Sequence, residues 1–465
     1  MKNLKYLNIY KLLITAILLN LVFISCDNYL DVEPKGVQLL KTVRDYDQWL
    51  NSNEALGLNI PEQLNLLADI TDNRYVTNPP VYTSDRIYTW QPRFSDDLNA
   101  SPVIWESLYK SIYYYNTVLK GIDNATEGSQ PQKNSLKAEA LLGRSLQYLY
   151  LVNLYGKPYN SGTANQDLAV PFVISNDLND PTPERSSVQQ IYDHIILDIT
   201  AALPNLPKNN SSNVHRGSLA AGYSVLARTY LYMGDFPKAS QNAQLALDNG
   251  PDTVLDYSAL NSDYDIPALN KRPDVIYARL SGGYYNAETP TLAFLKSFDT
   301  TDLRLKFFYD NLGDYSFTER FQTSYRPNGV SFGQAFPNWG TSVAEMRLIL
   351  AESAVRTNDL TTALDELHLV RKARFAPADY VLFTSSDKAA VLQKVLSERN
   401  LEFPYCGLRW FDMRRLDAEG LMPEVKRYTG TGELIATLPP GSNKYTLQIP
   451  IQIMYFNPGW IQNPY

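Results

Sequence analysis

The sequence predicts a mainly α-helical protein: a scaffold of helix-turn-helix repeats that carries long loop-rich insertions and only a few short strands. Three observations predict it. Apolar residues recur at helical spacing over several long stretches. Two of these stretches share one register of bulky, small and turn residues. Between and before them lie segments rich in Asn, Asp, Pro and Tyr that keep no such period.

The chain opens on a secretion signal. Lys2, Lys5 and Lys11 precede an apolar run from Leu12 to Ile24, interrupted only by Thr15 and Asn20, which ends at Ser25-Cys26. At about 13 residues the run is too short to cross roughly 30 Å of hydrocarbon, and a small residue precedes the cysteine, as a lipoprotein signal peptidase requires. Residues 1–25 are therefore expected to be removed and Cys26 to be the lipidation site. The mature chain, 26–465, reads as a single domain anchored to a membrane without spanning it.

Loss of the leader removes three of the 42 basic residues and none of the 49 acids, which leaves a net charge of about −10 and argues against a nucleic-acid partner. With Cys26 lipidated, Cys406 has no partner within the chain, so stability must come from a hydrophobic core. His194, His215 and His368 are scattered and no glycine-rich phosphate loop occurs, so neither a metal nor a cofactor is expected.

The helices follow in chain order. Val103 to Lys120 lies between Pro102 and Gly121, and Ser135 to Leu154 is stopped by Gly156 with Pro158 beyond. Val188, Ile191, Tyr192, Ile195, Ile199 and Leu203 form a stripe after the capping residues Ser186 and Ser187 and before Pro204. Between Gly217 and Pro251, Tyr223, Leu226, Ala227, Tyr230, Gly234, Ala239 and Ala246 fall in tetratricopeptide-like register. That gives helices Ser218–Met233 and Phe236–Asn249, with Gly234-Asp235 as the turn and small residues for close approach. Val343 to Arg374 repeats the register with Leu350, Ala351, Ala363 and Leu367, turning at Asn358-Asp359. The wide gap between the two units is expected to be an insertion projecting from the scaffold, where function commonly resides. Loop-rich insertions are placed at about 69–101 and 252–340, and Tyr445 to Ile449, closed by Pro450, reads as a short strand.

Five separate motifs, in order, resemble the SusD/RagB family of Bacteroidetes surface lipoproteins. They are Cys26 to Gly36 (CDNYLDVEPKG), Trp105 to Asn116 (WESLYKSIYYYN), Lys137 to Pro158 with its Leu154-Tyr155-Gly156-Lys157-Pro158 end, Ser397 to Arg415 (SERNLEFPYCGLRWFDMRR), and Ile449-Pro450 through Gln462-Asn463-Pro464. Cys406 stands where the family commonly has an acid, and Thr341-Ser342 where an arginine often opens a helix. The resemblance implies a SusD-like fold and a lipid-anchored protein at the outer-membrane surface. It also implies a partnership with a SusC-like TonB-dependent transporter, with a glycan as the nutrient ligand. An oligopeptide-binding lid of the RagB kind, or a scaffold lid without its own ligand, would use the same fold.

Glu398, Glu402 and Asp412 invite a catalytic reading. Arg399, Arg409 and Arg414 lie close enough in sequence to pair with them, and acids paired to arginine make poor general acids, so no enzyme is expected. Sugar recognition suits the insertions better. A pyranose presents a C–H face that packs on Tyr or Trp, while its hydroxyls need Asn, Asp or Arg at the edge. The candidate ligand-binding residues are Asp72, Asn73, Arg74, Tyr75, Tyr82 and Trp90 from the first insertion, and Tyr284, Tyr285, Asn286, Asn338 and Trp339 from the second. Trp105, Trp410 and Tyr113-Tyr114-Tyr115 are assigned to packing.

Overall fold

Helix follows helix along the chain, and each packs on the next. The computed structural model describes residues 40–58, 60, 62–210, 212–262, 265–281, 289–309, 313–325 and 337–465. The leader and Cys26 lie outside the described residues. Residues 42–465 form one unit.

The long helices are α1 (Val103–Gly121), α2 (Gln130–Tyr155), α3 (Val188–Ala202), α4 (Leu219–Met233), α5 (Phe236–Asp248), α6 (Val343–Arg356), α7 (Leu360–Arg371), α8 (Lys388–Glu402) and α9 (Leu408–Ala418). From α1 to α8 each helix packs against its successor, including α5 against α6. The two tetratricopeptide-like pairs, α4–α5 and α6–α7, are therefore neighbours in space despite the insertion between them. Ala227, Ala239 and Ala246 are fully buried where α4 meets α5, as small residues at a close crossing should be. Gly234 caps α4 at φ 73°, the left-handed turn that glycine adopts without strain, and Asn358 makes the equivalent turn between α6 and α7 at φ 70°.

One helix starts earlier than its period suggests. Ser129 and Gln132 form a reciprocal capping box, with Pro131 in the first turn, so α2 begins at Gln130 and not at Ser135. The Tyr445 to Ile449 segment is not a strand. It leaves a short 3₁₀ turn at Asn443–Tyr445 and is tied down singly: Leu447 donates its N–H to Leu154, and Ile449 to the Gln462 side chain.

The second insertion is clasped at its two ends. Strand β4 (Val275–Tyr277) pairs antiparallel with β6 (Thr341–Ser342), and Ser342 then caps α6. Within it, Tyr257, Phe294, Phe298, Phe307, Phe308, Tyr309 and Tyr325 are buried on one another, so most of its described aromatics build a core of their own.

Alternating charges stitch the scaffold internally. Arg228 pairs with Glu345 at 2.6 Å, and Arg399 joins Glu345 (3.6 Å) to Asp412 (2.9 Å). Arg415 then bridges Asp412 (2.8 Å) and Glu352 (2.6 Å), and Arg356 links Glu352 to Glu419 at 2.7 Å. Within the Ser397–Arg415 motif Arg399 does pair with Asp412, but Glu398, Glu402, Arg409 and Arg414 find their partners elsewhere. Glu398 pairs with Arg304 at 2.7 Å and Glu402 with Arg374 at 2.5 Å, while Arg409 pairs with Asp69 at 2.6 Å. Arg414 has no acid: its guanidinium donates to the carbonyls of Asn153, Gly156 and Tyr445, and burial lowers its pKa to about 10.

Candidate functional site

Both insertions meet in a two-residue ladder, β1 (Thr71–Asp72) against β5 (Thr289–Pro290). A third element joins them that sequence reasoning missed: the hairpin β7 (Val425–Tyr428) and β8 (Leu434–Leu438). Its sequence signal was weak: Val425-Lys426-Arg427-Tyr428 does not alternate apolar with polar residues, because the buried positions are Val425 and Arg427, and only the Gly430 and Gly432 turn marks it. The hairpin tip lies so close to the first insertion that a Cβ on Gly430 would fall 2.3 Å from the Arg74 carbonyl oxygen.

Arg427 fixes this corner. Its guanidinium sits 4.5 Å from the ring centroids of both Tyr88 and Trp90, and it donates to the carbonyls of Leu66, Ala68, Thr71 and Tyr88. Burial lowers its pKa, yet the rings and carbonyls hold the charge in place. Arg320 comes from the second insertion and grips Asp72 with two hydrogen bonds of 2.7 Å. Tyr88 donates to the same carboxylate at 2.9 Å, and burial, with Asp72 beside it, pushes that phenol up to about 12.

Several predicted ligand residues are therefore structural. Asp72 is buried and spent on Arg320 and Tyr88. Trp90 is 2 % exposed, covered by Arg427, with its indole N–H given to Leu67. Trp339 is buried behind Gly407, where a Cβ would meet its ring at 2.4 Å. Asn338 accepts from the N–H groups of Arg279 and Gly340 and donates to the carbonyls of Tyr277 and Thr341, which leaves its amide fully used at the base of the insertion. None of these four offers a free face or a free polar atom to a ligand. Trp105 and Trp410 are buried, in keeping with packing roles. Tyr284, Tyr285 and Asn286 lie outside the described residues.

The remaining candidates come together in one loop. Asn73 makes a local turn in which Tyr75 N–H donates to its Oδ1 at 3.0 Å. Arg74 is exposed and lies 4.7 Å over the Phe321 ring. Tyr75 stands 83 % exposed and Tyr82 64 %, with Val81 exposed between them in the chain. The loop under them is pinned by buried Asp85, which accepts from Thr77 Oγ1 at 2.6 Å and from the Thr77 and Tyr82 N–H groups. From the hairpin, Glu433 accepts from Asn78 at 3.1 Å, and Tyr428 is 37 % exposed beside Arg320. This arrangement offers flat tyrosine faces on an anchored loop, rimmed by Asn and Arg.

Two family models match the chain: "Starch-binding associating with outer membrane" over residues 28–231 and "SusD family" over residues 314–465. Among curated relatives, a SusD-like protein of Bacteroides ovatus is 23 % identical over 455 residues, covering 84 % of this chain and 80 % of that one. The SusD-like protein P2 of Formosa agariphila is 28 % identical over 250 residues, which is 51 % of this chain but only 46 % of that relative's length. Among solved structures, a SusD superfamily protein from Bacteroides thetaiotaomicron has a TM-score of 0.73 at 20 % identity, covering 91 % of this chain and 100 % of the other. A "putative sugar binding protein" from Bacteroides vulgatus has a TM-score of 0.71 at 22 % identity, covering 92 % and 99 %. Surface glycan-binding protein A from Bacteroides uniformis has a TM-score of 0.69 at 19 % identity, covering 91 % and 99 %. At these identities the structural likeness speaks to the fold.

Proposed function

The chain belongs to the SusD/RagB family, and from that premise we propose that it binds a glycan at the cell surface and passes it to a SusC-like TonB-dependent transporter. The observation that carries the reading is the pair Tyr75 and Tyr82, held outward on a loop that Asp85 pins from beneath. Large side chains left that exposed on an anchored loop mark a binding surface more often than a structural one. Their rings suit the C–H face of a pyranose, and Asn73 and Arg74 suit its hydroxyls.

In this reading the helical scaffold holds the tyrosine face rigid, so the ligand meets a pre-formed surface. Tyr284, Tyr285 and Asn286 of the second insertion stay candidate ligand residues in this reading. Lipid on Cys26 would keep the protein beside its transporter at high effective concentration. The starch-binding family model matched over residues 28–231 supports a carbohydrate over a peptide.

The test is calorimetry of the soluble mature chain, Asp27 to Tyr465, against a panel of plant, host and microbial polysaccharides, with oligopeptides as the contrast. Binding to one glycan and to no peptide is expected; saturable peptide binding alone would overturn the glycan reading. For the anchor, Cys26→Ala is expected to release the protein from the outer-membrane fraction, and unchanged surface display in that variant would refute it.

A further inference from the structure

Where the helix after Tyr82 meets the C-terminal segment, the protein forms a pocket of about 150 Å³ whose apolar walls are Ile87, Trp90, Phe94, Ile104, Leu447 and Tyr155, with Arg93, Gln448 and Lys444 also lining it. An apolar void of about that volume accepts a benzene-sized guest. Thr83, the residue after Tyr82, also lines it, so the cavity adjoins the exposed tyrosine face.

Tyr155 supplies the second observation. It closes α2 at 2 % exposure; its carbonyl accepts from Asn463, and its ring meets Trp105 edge-on at 5.0 Å. Its hydroxyl, however, has no hydrogen-bond partner among the described residues. Tyr148 and Tyr150 of the same helix give theirs to the carbonyls of Val173 and Trp339. Elsewhere Tyr232, Tyr309 and Tyr445 also leave buried hydroxyls unpartnered, and Tyr232 lines a second, more polar pocket; Tyr155 borders the open space of this one. Burial raises the Tyr155 phenol well above its ordinary range, so it keeps a proton to donate. A buried donor without an acceptor costs free energy that a ligand oxygen recovers.

We propose that this cavity takes a neutral, phenyl-sized group bearing a carbonyl oxygen, as in an aryl ester carried on a glycan. The ring lies among the apolar walls and the carbonyl accepts from Tyr155. A mostly apolar pocket with a few placed polar groups is the usual design of a small-ligand site. The inference deepens the glycan reading and rests on it only for the source of the group.

The experiment is saturation-transfer NMR on the mature chain with methyl benzoate and with toluene, which has the ring and no acceptor. Both are expected to bind. Tyr155→Phe is expected to weaken methyl benzoate about fivefold, the loss of one neutral hydrogen bond, and to leave toluene unchanged. Val103→Trp, at a cavity-lining position that is 51 % exposed and so tolerant of a larger side chain, is expected to occlude both. No transfer to either probe on the native chain, or a Tyr155→Phe variant that binds methyl benzoate as before, would overturn the proposal. Failure of the probes with glycan binding intact removes the cavity alone; probe binding without any glycan binding removes the glycan reading alone.

Discussion

In the helical scaffold most arginines meet carboxylates, Arg414 excepted; on the loop face Arg320 meets Asp72, while Arg427 and Arg74 meet carbonyl oxygens and aromatic rings. Arg228, Arg399, Arg415 and Arg356 run as a chain of ion pairs through Glu345, Asp412, Glu352 and Glu419. On the face, Arg427 holds four carbonyls between two rings, and Arg74 lies over Phe321. The same side chain thus locks helices together in one region and shapes a loop in the other. Closed ion pairs spend these charged side chains on one another. The face, by contrast, keeps Tyr75 and Tyr82 in solvent because Arg427, Arg320 and Asp85 fix the backbone beneath them.

Acid should break the scaffold first. Desolvation opposes ionisation of Glu352, Glu402 and Asp412, but the arginines around them win and hold all three carboxyls below their ordinary range. Depressed carboxylates contribute stability that is present above the unfolded-state pKa of about 4 and lost as pH falls through their folded values. Glu139 and Asp198, whose burial outweighs their arginines, work in the opposite direction and blunt the effect. Circular dichroism should therefore show cooperative unfolding below about pH 4, and a melting temperature that does not change down to pH 2 would contradict the ion-pair account.

Removing one partner tests the same chain locally. Arg415→Ala leaves Asp412 and Glu352 buried without a shared cation and should cost about 3–5 kcal/mol in urea unfolding. A cost of a few tenths would mean that the chain stabilises nothing. Next comes the base of the loop face. Arg427→Met keeps much of the packing but strips donors from buried carbonyls, and should cost about 2 kcal/mol. Proteolysis around residues 66–90 should quicken in that variant and remain slow around α4–α5. Smallest of all, Tyr75→Ala and Tyr82→Ala should each change stability by less than about 0.5 kcal/mol, since neither ring is buried. A larger loss would reassign these rings to packing.

How far the sequence discloses the structure differs between the same two regions. Helices α4 to α7 were legible because period, small residues and turn residues agree within one local stretch. The start of α2 was missed because its cap, Ser129 with Gln132, precedes the first apolar residue of the period. Tyr75 and Tyr82 were legible as loop aromatics because the Asn-, Asp- and Pro-rich segment around them keeps no helical or strand period. Asp72, Trp90, Asn338 and Trp339 look equally suited to a sugar in one dimension. Their partners Arg320 and Arg427, the β4 strand and Gly407 come from distant segments, and no local pattern announces that they are already occupied. The hairpin under Arg74 was missed for a similar reason: its inward position is filled by Arg427, whose carbonyl and ring partners come from distant segments.

The most direct test of the account is glycan affinity of the Tyr75→Ala/Tyr82→Ala double variant, measured by calorimetry beside its melting temperature, with the native chain and a Trp339→Phe variant as references. The account predicts an unchanged melting temperature and at least a tenfold loss of affinity in the double variant, with affinity retained in Trp339→Phe. Full glycan affinity in a folded double variant would contradict it, because binding would then reside somewhere other than the exposed tyrosine face.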